Sequence, residues 1–423
     1  MSTAHLPSAH PDHLPRRRAV VVFLAFALAY FFSALVRAIT ATLSPTLTAE
    51  FSLSAQDLGL LAGGYFLGFS LTQLPLGRWL DRHGPKKVIL AFLSMAVLGC
   101  LAFAKADSFL GLLAARVLCG MGVSACLMAP LTGYRRWFDA STQLRTNSWM
   151  LMTGSLGMLA ATLPVQWLMP IWGWRSLFVV LGVLIALAML LITLLVPRWS
   201  VGLPVMAQTA TLPDDDGSYR LIWRSPYFWR MTPIGFFSYG GMVAIQTLWA
   251  GPWMTQVAGW TAAEAATGLF GINFSMLVAF WLWGLVTPRL ARRGIAVERL
   301  IAWGLPLTFV ALVWLVVSGP TLGDSAAAVI AVFCVCSTFV ALAQPAVGMA
   351  FPAHLAGRAL SAYNLVIFAG IFVVQWGVGL VVDFARRFGL DTPAAYQAAL
   401  AAFAVCSVLS WLYFVLKRAD PTR

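Results

Sequence analysis

Two arginines lie inside long apolar runs. Arg37 is part of "YFFSALVRAITATLSP" (Tyr30 to Pro45), and Arg116 opens "RVLCGMG" (Arg116 to Gly122). A guanidinium group within a bilayer costs at least about 2.5–3.5 kcal/mol on insertion scales, so such residues face a cavity or a partner. Its planar fork binds carboxylate or phosphate through paired hydrogen bonds. The chemistry indicated by these residues is therefore the binding of an anion.

The source of the negative charge follows from the acidic residues. All fifteen fall in loops or termini of the spans predicted below, so no protein carboxylate is expected to neutralise the two arginines. The simplest prediction is that the substrate supplies the charge. Two alternatives stay open: Arg37 could extend to the outer headgroups, and Arg116 could bind backbone carbonyls in a structural or coupling role.

Polar and aromatic residues of other spans could complete such a site. Tyr239, Gln246 and Trp249 share one helical face, and Gln344 precedes Pro345, where a helix can break and free a carbonyl. Taken alone, each is better explained by packing than by ligand binding. The candidate substrate-binding residues are Tyr30, Arg37, Gln73, Arg116, Tyr239, Gln246, Trp249 and Gln344.

The elements that must position these residues are membrane-spanning helices. The chain has 423 residues, of which 60% are hydrophobic and 10% charged, and its mean hydropathy is +0.83. A soluble chain carries about 25% charged residues. The apolar runs are continuous rather than alternating, which predicts an all-α integral membrane protein. Lys and Arg are scattered through short loops, so the net charge of +13 reflects membrane topology and not nucleic-acid binding.

Twelve runs approach the length of about 20 residues that a spanning helix needs. They are Ala19–Leu43, Leu58–Gly77, Val88–Ala104, Phe109–Tyr134, Thr146–Leu168, Leu177–Val196, Met231–Trp253, Ala265–Val286, Leu300–Val317, Ala326–Met349, Ala359–Val382 and Ala394–Leu416. The predicted organisation is an N-terminal tail (1–18), a six-helix bundle (19–196), a linker (197–230) with a short surface helix, a second six-helix bundle (231–416) and a C-terminal tail (417–423).

The basic residues predict the orientation. If both termini are cytoplasmic, 22 of the 28 Lys and Arg residues lie on the cytoplasmic side, and only Lys105, Arg175, Arg386 and Arg387 lie in outer loops. In that orientation Arg37 and Arg116 each lie about seven residues, or roughly 10 Å, below the outer end of their span. The two guanidinium groups are therefore expected in one layer.

The loop after the second span carries the most specific motif. It reads "GRWLDRHGPKK", in which Gly77, Asp81, Arg82, Gly84, Lys86 and Lys87 resemble the loop signature of the major facilitator superfamily. "RVLCGMG" and "GWRSLF" (Gly173 to Phe178) are similar to further patterns of that superfamily, and "TPRLARRG" after the eighth span echoes the first loop. The resemblance covers the whole chain. It implies two six-helix bundles related by a pseudo-two-fold axis, alternating access, and a cavity lined by helices one and four.

Individual loop residues have expected roles. Gly77 is expected to allow close backbone approach at a helix end. Asp81 is expected to close a cytoplasmic gate through Arg358 or the N-terminus of the eleventh span, and the two lysines to hold the loop at the anionic membrane face. A purely topological loop is the alternative, but the second half has Ala291 where the first has Asp81, which favours a gate.

These observations favour a bacterial inner-membrane secondary transporter of a small organic anion, a carboxylate or a phosphate. An exporter of apolar or cationic compounds is the alternative, although the fifth span, "TGSLGMLAATLP", lacks the complete motif of the superfamily's antiporters. A non-transporting membrane sensor is less favoured, since a soluble domain or long tail would be expected. No span holds His, Asp or Glu, so no enzyme, metal or cofactor is expected. The expected partners are a small-molecule substrate, the lipid bilayer, and a coupling proton or counter-transported anion, with the protein a monomer.

Overall fold

The computed structural model of the chain describes residues 14–199 and 215–417. All regular secondary structure in these two ranges is helical. The predicted tails lie largely outside the described residues, as does the part of the linker from residue 200 to 214.

The twelve predicted spans coincide with helices, which we number α1–α12. In the first half these are α1 (Arg16–Phe51), α2 (Ala55–Leu71 and the part of Gln73–Lys105 before Gly84), α3 (the rest of Gln73–Lys105), α4 (Phe109–Val123 and Ala125–Trp137), α5 (Ala140–Ala160 and the part of Leu163–Leu195 before Gly173) and α6 (the part of Leu163–Leu195 after Gly173). In the second half they are α7 (five segments from Pro226–Pro233 to Ala250–Gln256), α8 (Ala262–Arg292), α9 (Val297–Ser318), α10 (Ala326–Ser337, Thr338–Leu342 and Ala343–Met349), α11 (Ala353–Arg387) and α12 (Thr392–Leu416). The expected surface helix is Asp215–Arg224.

Among the described residues, eight helical stretches are long and apolar enough to cross a membrane by length and composition alone. One of them, Val297–Met349, contains both α9 and α10. The spans without such a stretch of their own are α2, α5 and α7. The first segment of α2 has only 17 residues, α5 begins with the polar run "STQLRTNS", and α7 is divided among short segments.

Two glycines separate consecutive spans where the helical hydrogen bonding is otherwise nearly continuous. Gly84 has φ 76° between α2 and α3, and Gly173 has φ 69° before α6. Residues with a Cβ atom rarely adopt these angles, so glycine is required for the chain to reverse there. Both glycines belong to motifs identified in the sequence.

The antiparallel order of the helices creates two faces of the bundle. We call the face where α1, α3 and α5 end the Glu50 end, and the opposite face, where α2 turns into α3, the Gly84 end. The helices continue beyond the apolar runs, because hydropathy marks only the part of a helix in hydrocarbon. The expectation that every acidic residue lies outside the helices is therefore wrong: Glu50 is part of α1, Asp81 of the Gln73–Lys105 helix, and Asp383 of α11.

The two halves pack against each other most closely along α2 and α11. A Cβ atom on Gly59 would lie 2.4 Å from the carbonyl oxygen of Gln375, and one on Gly379 would lie 2.3 Å from that of Ala55. Small residues permit such backbone contact between membrane helices. The close approach predicted at Gly77 is not found there, since a Cβ atom would lie an ordinary 3.8 Å from Ser361 Oγ.

Candidate functional site

Arg37 lies midway along α1, inside the bundle. Its guanidinium group has polar interactions with the hydroxyl groups of Tyr30, two helical turns earlier on α1, and Tyr65 on α2. Tyr239 of α7 also faces it from the second half. These contacts exclude the alternative in which Arg37 extends to the headgroups, since its charge is held among the tyrosines of the bundle.

Tyr65 connects the two arginines. Its hydroxyl group faces Arg37 and donates to the carbonyl oxygen of Ser33 at 3.2 Å, whereas its ring centroid lies 5.2 Å from the Cζ atom of Arg116. Tyr65 is fully buried. The structure therefore brings both guanidinium groups to one tyrosine, one at its hydroxyl group and the other at its ring. The sequence did not single this residue out.

Arg116 has a different environment from Arg37. It is completely buried, and its Nη1 atom donates to the carbonyl oxygen of Val36 at 2.9 Å. Its Nε and Nη2 atoms are buried without a hydrogen-bond partner. This geometry favours the structural alternative for Arg116, in which it ties α4 to α1 beside the residue that precedes Arg37.

Neither arginine forms an ion pair with a carboxylate among residues 14–199 and 215–417. The Nε atom of Arg37 is also a buried donor without a partner. Unlike Arg116, Arg37 retains some exposed surface. An unpaired guanidinium group in the interior is costly unless an anionic partner is present, so an added anion would be favourable at Arg37.

Both halves contribute aromatic residues to the surroundings of Arg37. The Cζ atom of Arg37 lies 5.9 Å from the ring centroid of Phe69 on α2. The Phe69 ring in turn contacts Phe368 of α11, with centroids 4.0 Å apart. With Tyr239 of α7, these residues place the site at the interface between the halves.

Four other candidates lie in separate polar contacts. Gln73 donates to Phe69 O on its own helix at 3.2 Å. Gln246 donates to Asn273 Oδ1 of α8 at 3.0 Å, and Gln344 to Asn364 Oδ1 of α11 at 2.6 Å. Trp249 donates its indole N–H to the carbonyl oxygen of Gln375 at 3.1 Å. None of these contacts includes Arg37.

Helix α7 does not present its three candidates on one face. It contains two π-helical segments, Ile234–Tyr239 and Ile245–Trp249. The wider π turns alter the angular spacing of side chains, so Tyr239 faces Arg37 whereas Gln246 and Trp249 face α8 and α11. At the break predicted near Pro345, α10 contains a 3₁₀ segment, Thr338–Leu342, just before the proline. Proline has no backbone N–H, which weakens the helix there.

The motif loop lies at the Gly84 end. Lys86 donates to the carbonyl oxygens of Thr193 at 2.8 Å and Val196 at 2.6 Å, so it stabilises the C-terminus of α6 and does not extend to the membrane face. Burial lowers the pKa of Lys86, and repulsion from Arg198 adds to this effect. Trp199 packs against Gly84, where a Cβ atom would lie 2.3 Å from its ring.

The other charged loop residues are more exposed. Asp81, Arg82 and Lys87 are exposed, and Arg358 at the start of α11 is partly buried. Asp81 and Arg358 both take part in interactions. A gate formed by these two residues stays a prediction.

A second charged cluster lies at the Glu50 end. The "GWRSLF" motif places Trp174 and Arg175 at the start of α6, where both donate to the carboxylate of Glu50, Trp174 Nε1 at 2.7 Å. Burial raises the pKa of Glu50, but the hydrogen bonds from these two residues and the charge of Arg175 outweigh it and lower the pKa overall. This cluster joins α1 to α6 within the first half.

Several contact residues were missed by sequence reasoning. Tyr65 and Phe69 are spaced four residues apart on α2 and face Arg37, a pattern that helical periodicity could have revealed. Phe368 comes from the other half, so its contact with Phe69 has no signal in a single sequence. The amide partners Asn273 and Asn364 lie on the helix that follows Gln246 and Gln344, and no local pattern pairs them.

The described residues thus combine twelve spans in two halves, a motif loop that turns at Gly84 and a central cationic site. The family model of the Major Facilitator Superfamily matches residues 26–375. The chain belongs to this superfamily. Membership confirms the predicted fold of two six-helix bundles, identifies the chain as a multi-pass membrane transporter and excludes the enzyme class.

Relatives within the Major Facilitator Superfamily align over part of their length. A probable L-galactonate transporter from Escherichia coli (strain K12) is 26% identical over 191 residues, which are 43% of this chain and 42% of the relative. The hexuronate transporter of the same strain is 28% identical over 150 residues (36% and 35%). The 4-hydroxybenzoate transporter PcaK from Pseudomonas aeruginosa is 28% identical over 164 residues (39% and 36%). The chain thus spans less than half the length of these relatives.

Solved superfamily structures match over nearly the whole chain. A bacterial homolog of the human lysosomal transporter Spinster, inward-facing and unoccupied, has a TM-score of 0.76 at 17% identity, covering 96% of this chain and 98% of that one. A D-xylose–proton symporter has a TM-score of 0.77 at 14% identity, covering 96% and 99%. At these identities the similarity shows the fold alone.

Proposed function

We propose that this protein is a secondary transporter that moves a small organic anion across a bacterial inner membrane by alternating access. Arg37 binds the anionic group of the substrate, at the interface between the two halves. The observation that carries the proposal is Arg37 itself: the residue is partly exposed, and it lacks a carboxylate partner among the described residues.

The position of Arg37 suits alternating access. Its neighbours come from α1 and α2 in one half and from α7 in the other. A substrate anion bound there contacts groups that move relative to one another when the halves rock, so binding can bias the conformational equilibrium. Tyr30 and Tyr239 supply hydroxyl donors that can add hydrogen bonds to the same anionic group.

Arg116 has a positioning role in this proposal. Its hydrogen bond to Val36 O fixes the backbone of α1 one residue before Arg37, and its guanidinium group lies beside the ring of Tyr65. Because Arg116 is completely buried, it orients the ligating residues and does not itself contact the substrate in this conformation.

The substrate class is supported by the relatives. L-galactonate, hexuronate and 4-hydroxybenzoate, named for three relatives, all carry a carboxylate group. The matched segments are partial, so these names support a carboxylate without selecting one. Among anions, we therefore favour a carboxylate over a phosphate.

Orientation and coupling complete the proposal. The excess of Lys and Arg at the Gly84 end favours that face as cytoplasmic, with both termini inside and the protein acting as a monomer. Coupling uses either a proton or exchange of a second anion. Anion exchange requires no carboxylate or histidine beside Arg37. It is therefore compatible with the tyrosines that interact with this residue.

The test is transport by purified protein in proteoliposomes, with radiolabelled benzoate, glucuronate and galactonate as probes. Arg37→Lys keeps the charge but loses the fork, and should weaken binding by about 1–3 kcal/mol, the scale of a charge-assisted hydrogen bond. Arg37→Gln should weaken it at least as much. Arg145→Gln, which removes an exposed arginine, is the matched control and should transport normally.

Normal uptake of every carboxylate probe by correctly inserted Arg37→Gln would contradict the proposal. Equal transport of a neutral or cationic compound by wild type and Arg37→Gln, without any carboxylate uptake, would favour the exporter of apolar or cationic compounds instead.

A further inference from the structure

The partly exposed residues around Arg37 define what a bound substrate would meet. Phe69 and Tyr65 are buried, whereas Arg37, Tyr239 and Phe368 each retain exposed surface. The partly exposed groups here are thus a cation, a phenol and a phenyl ring. A substrate whose charge binds Arg37 has its remaining atoms beside aromatic rings.

These rings form a continuous cluster across the two halves. The Phe69 and Phe368 rings contact each other at an interplanar angle of 31°, with centroids 4.0 Å apart. Phe66 also stacks on Phe368, with centroids 6.2 Å apart at 18°, and the ring of Tyr65 lies 6.3 Å from that of Phe69. Offset, nearly parallel rings are a favourable arrangement that a further arene can extend.

The amide side chains that could recognise hydroxyl groups are engaged elsewhere. Gln246 is bonded to Asn273, and Gln344 to Asn364. Gln73 donates to the backbone of its own helix. A polyhydroxylated substrate would thus lose hydrogen bonds to water against phenyl faces, and these three amides are not free to replace them.

From this arrangement we infer that the preferred substrate is an aromatic carboxylate, with its carboxylate on Arg37 and its ring against Phe368. The inference rests on the proposed function and assigns the substrate class of the same site. Phe368 is then a specificity-determining residue: its side chain distinguishes an arene from a saturated or hydroxylated ring, whereas Arg37 recognises only the anionic group.

The experiment compares ligands of equal charge and similar size in purified protein by calorimetric titration. Benzoate is the aromatic probe, cyclohexanecarboxylate its saturated counterpart, and glucuronate the hydroxylated one. Wild type should bind benzoate about tenfold more tightly than either of the others, the scale of one good aromatic contact. Phe368→Leu should remove this preference and leave the affinity for cyclohexanecarboxylate unchanged.

Two further variants separate specificity from folding. Phe368→Tyr keeps an arene and should retain the preference for benzoate. Phe384→Leu removes an exposed phenylalanine of the same helix, 62% exposed, and should behave as wild type. Loss of preference in Phe368→Leu together with its retention in Phe368→Tyr assigns the effect to the ring.

The failure of this inference differs from the failure of the proposed function. The aromatic class would be overturned if benzoate binds no more tightly than cyclohexanecarboxylate, or if glucuronate binds and benzoate does not. The proposed function would still stand if the binding that is observed is lost in Arg37→Gln. Binding of the probes that is equally strong in Arg37→Gln, or absent for all three, would overturn both.

Discussion

The two ends of the bundle are held by different kinds of contact. At the Glu50 end, Asp383 of α11 accepts hydrogen bonds from the backbone amides of Ala55 at 3.2 Å and Gln56 at 2.7 Å, in the first turn of α2. At the Gly84 end, Lys86 binds the end of α6 within its own half. The first contact crosses from one half to the other, whereas the second stabilises a single half.

This difference indicates where closure of the bundle is encoded. The N-terminus of a helix favours negative charge, and its first amides are free to donate. Asp383 uses both effects across the interface, and Gly379 brings the backbones of α2 and α11 together one turn away. A carboxylate at the N-terminus of a helix of the other half is the contact that the sequence predicted for Asp81 at the opposite end. At the Glu50 end it is formed by Asp383.

The largest effect is expected from Asp383→Ala. Two hydrogen bonds from amides to a carboxylate are lost, which should destabilise closure of the Glu50 end by about 3 kcal/mol. Pulsed dipolar spectroscopy between spin labels at Lys105→Cys and Asp324→Cys, in a background free of native cysteines, should show a longer distance population. Both label sites are exposed positions of this end, one in each half. An unchanged distance distribution would show that Asp383 does not hold the halves together.

A matched pair of glycines provides the next prediction. Gly379→Ala would bring a Cβ atom to 2.3 Å from Ala55 O, whereas a Cβ atom on Gly377 of the same helix has nothing within 4 Å. Overpacking of this kind costs about 2 kcal/mol, so Gly379→Ala should open the Glu50 end in the same label pair. Gly377→Ala should not. Equal distance distributions in the two variants would mean that the close packing at Gly379 does not hold this end closed.

These two contacts also show what a single sequence can and cannot predict. Tyr30 and Arg37 are seven residues apart on one helix, so their common face follows from periodicity. The twelve spans follow from hydropathy. Asp383 was missed because the apolar run ends at Val382, one residue earlier, although the helix continues to Arg387. Contacts between halves, such as Phe69 with Phe368, depend on packing that no local pattern specifies.

A contact within one half should affect stability but not closure. Lys86→Met removes two hydrogen bonds at the C-terminus of α6 and should lower the free energy of unfolding by about 1–2 kcal/mol. The thermal midpoint should fall, while the distance distribution at the Glu50 end stays as in wild type. Lys87→Met, at an exposed position, is the control and should alter neither. Opening of the Glu50 end in Lys86→Met would contradict the division between the two ends.

Asp81 tests whether the Gly84 end has a gate of its own. If its charge favours closure through Arg358 or the N-terminus of α11, Asp81→Asn should shift the equilibrium by about 1 kcal/mol, the scale of a charge at a helix end. Transport should slow severalfold, with substrate affinity nearly unchanged. Labels at Lys87→Cys and Arg293→Cys should move apart at that end only. Wild-type turnover in Asp81→Asn would instead support the topological role.

The smallest effect is expected at Glu50. Its contacts lie within the first half but at the end where Asp383 joins the two halves, so it tests whether the two kinds of contact act separately. Its pKa is lowered in the folded protein because the hydrogen bonds from Trp174 and Arg175 and the charge of Arg175 outweigh the effect of burial. A group with a lowered folded pKa contributes stability above its unfolded pKa, about 4.3 for Glu, and loses it as the pH falls through the folded value. The thermal midpoint of wild type should therefore decline below about pH 4.3 more steeply than that of Glu50→Gln. Asp324→Asn, an exposed acid at the same end, should keep the wild-type slope.

In the contacts described, Glu50 binds only residues of its own half. Its protonation should therefore leave the distance between labels at Lys105→Cys and Asp324→Cys unchanged. If acid increases this distance, and Glu50→Gln gives the same increase at neutral pH, Glu50 takes part in the closure formed by Asp383.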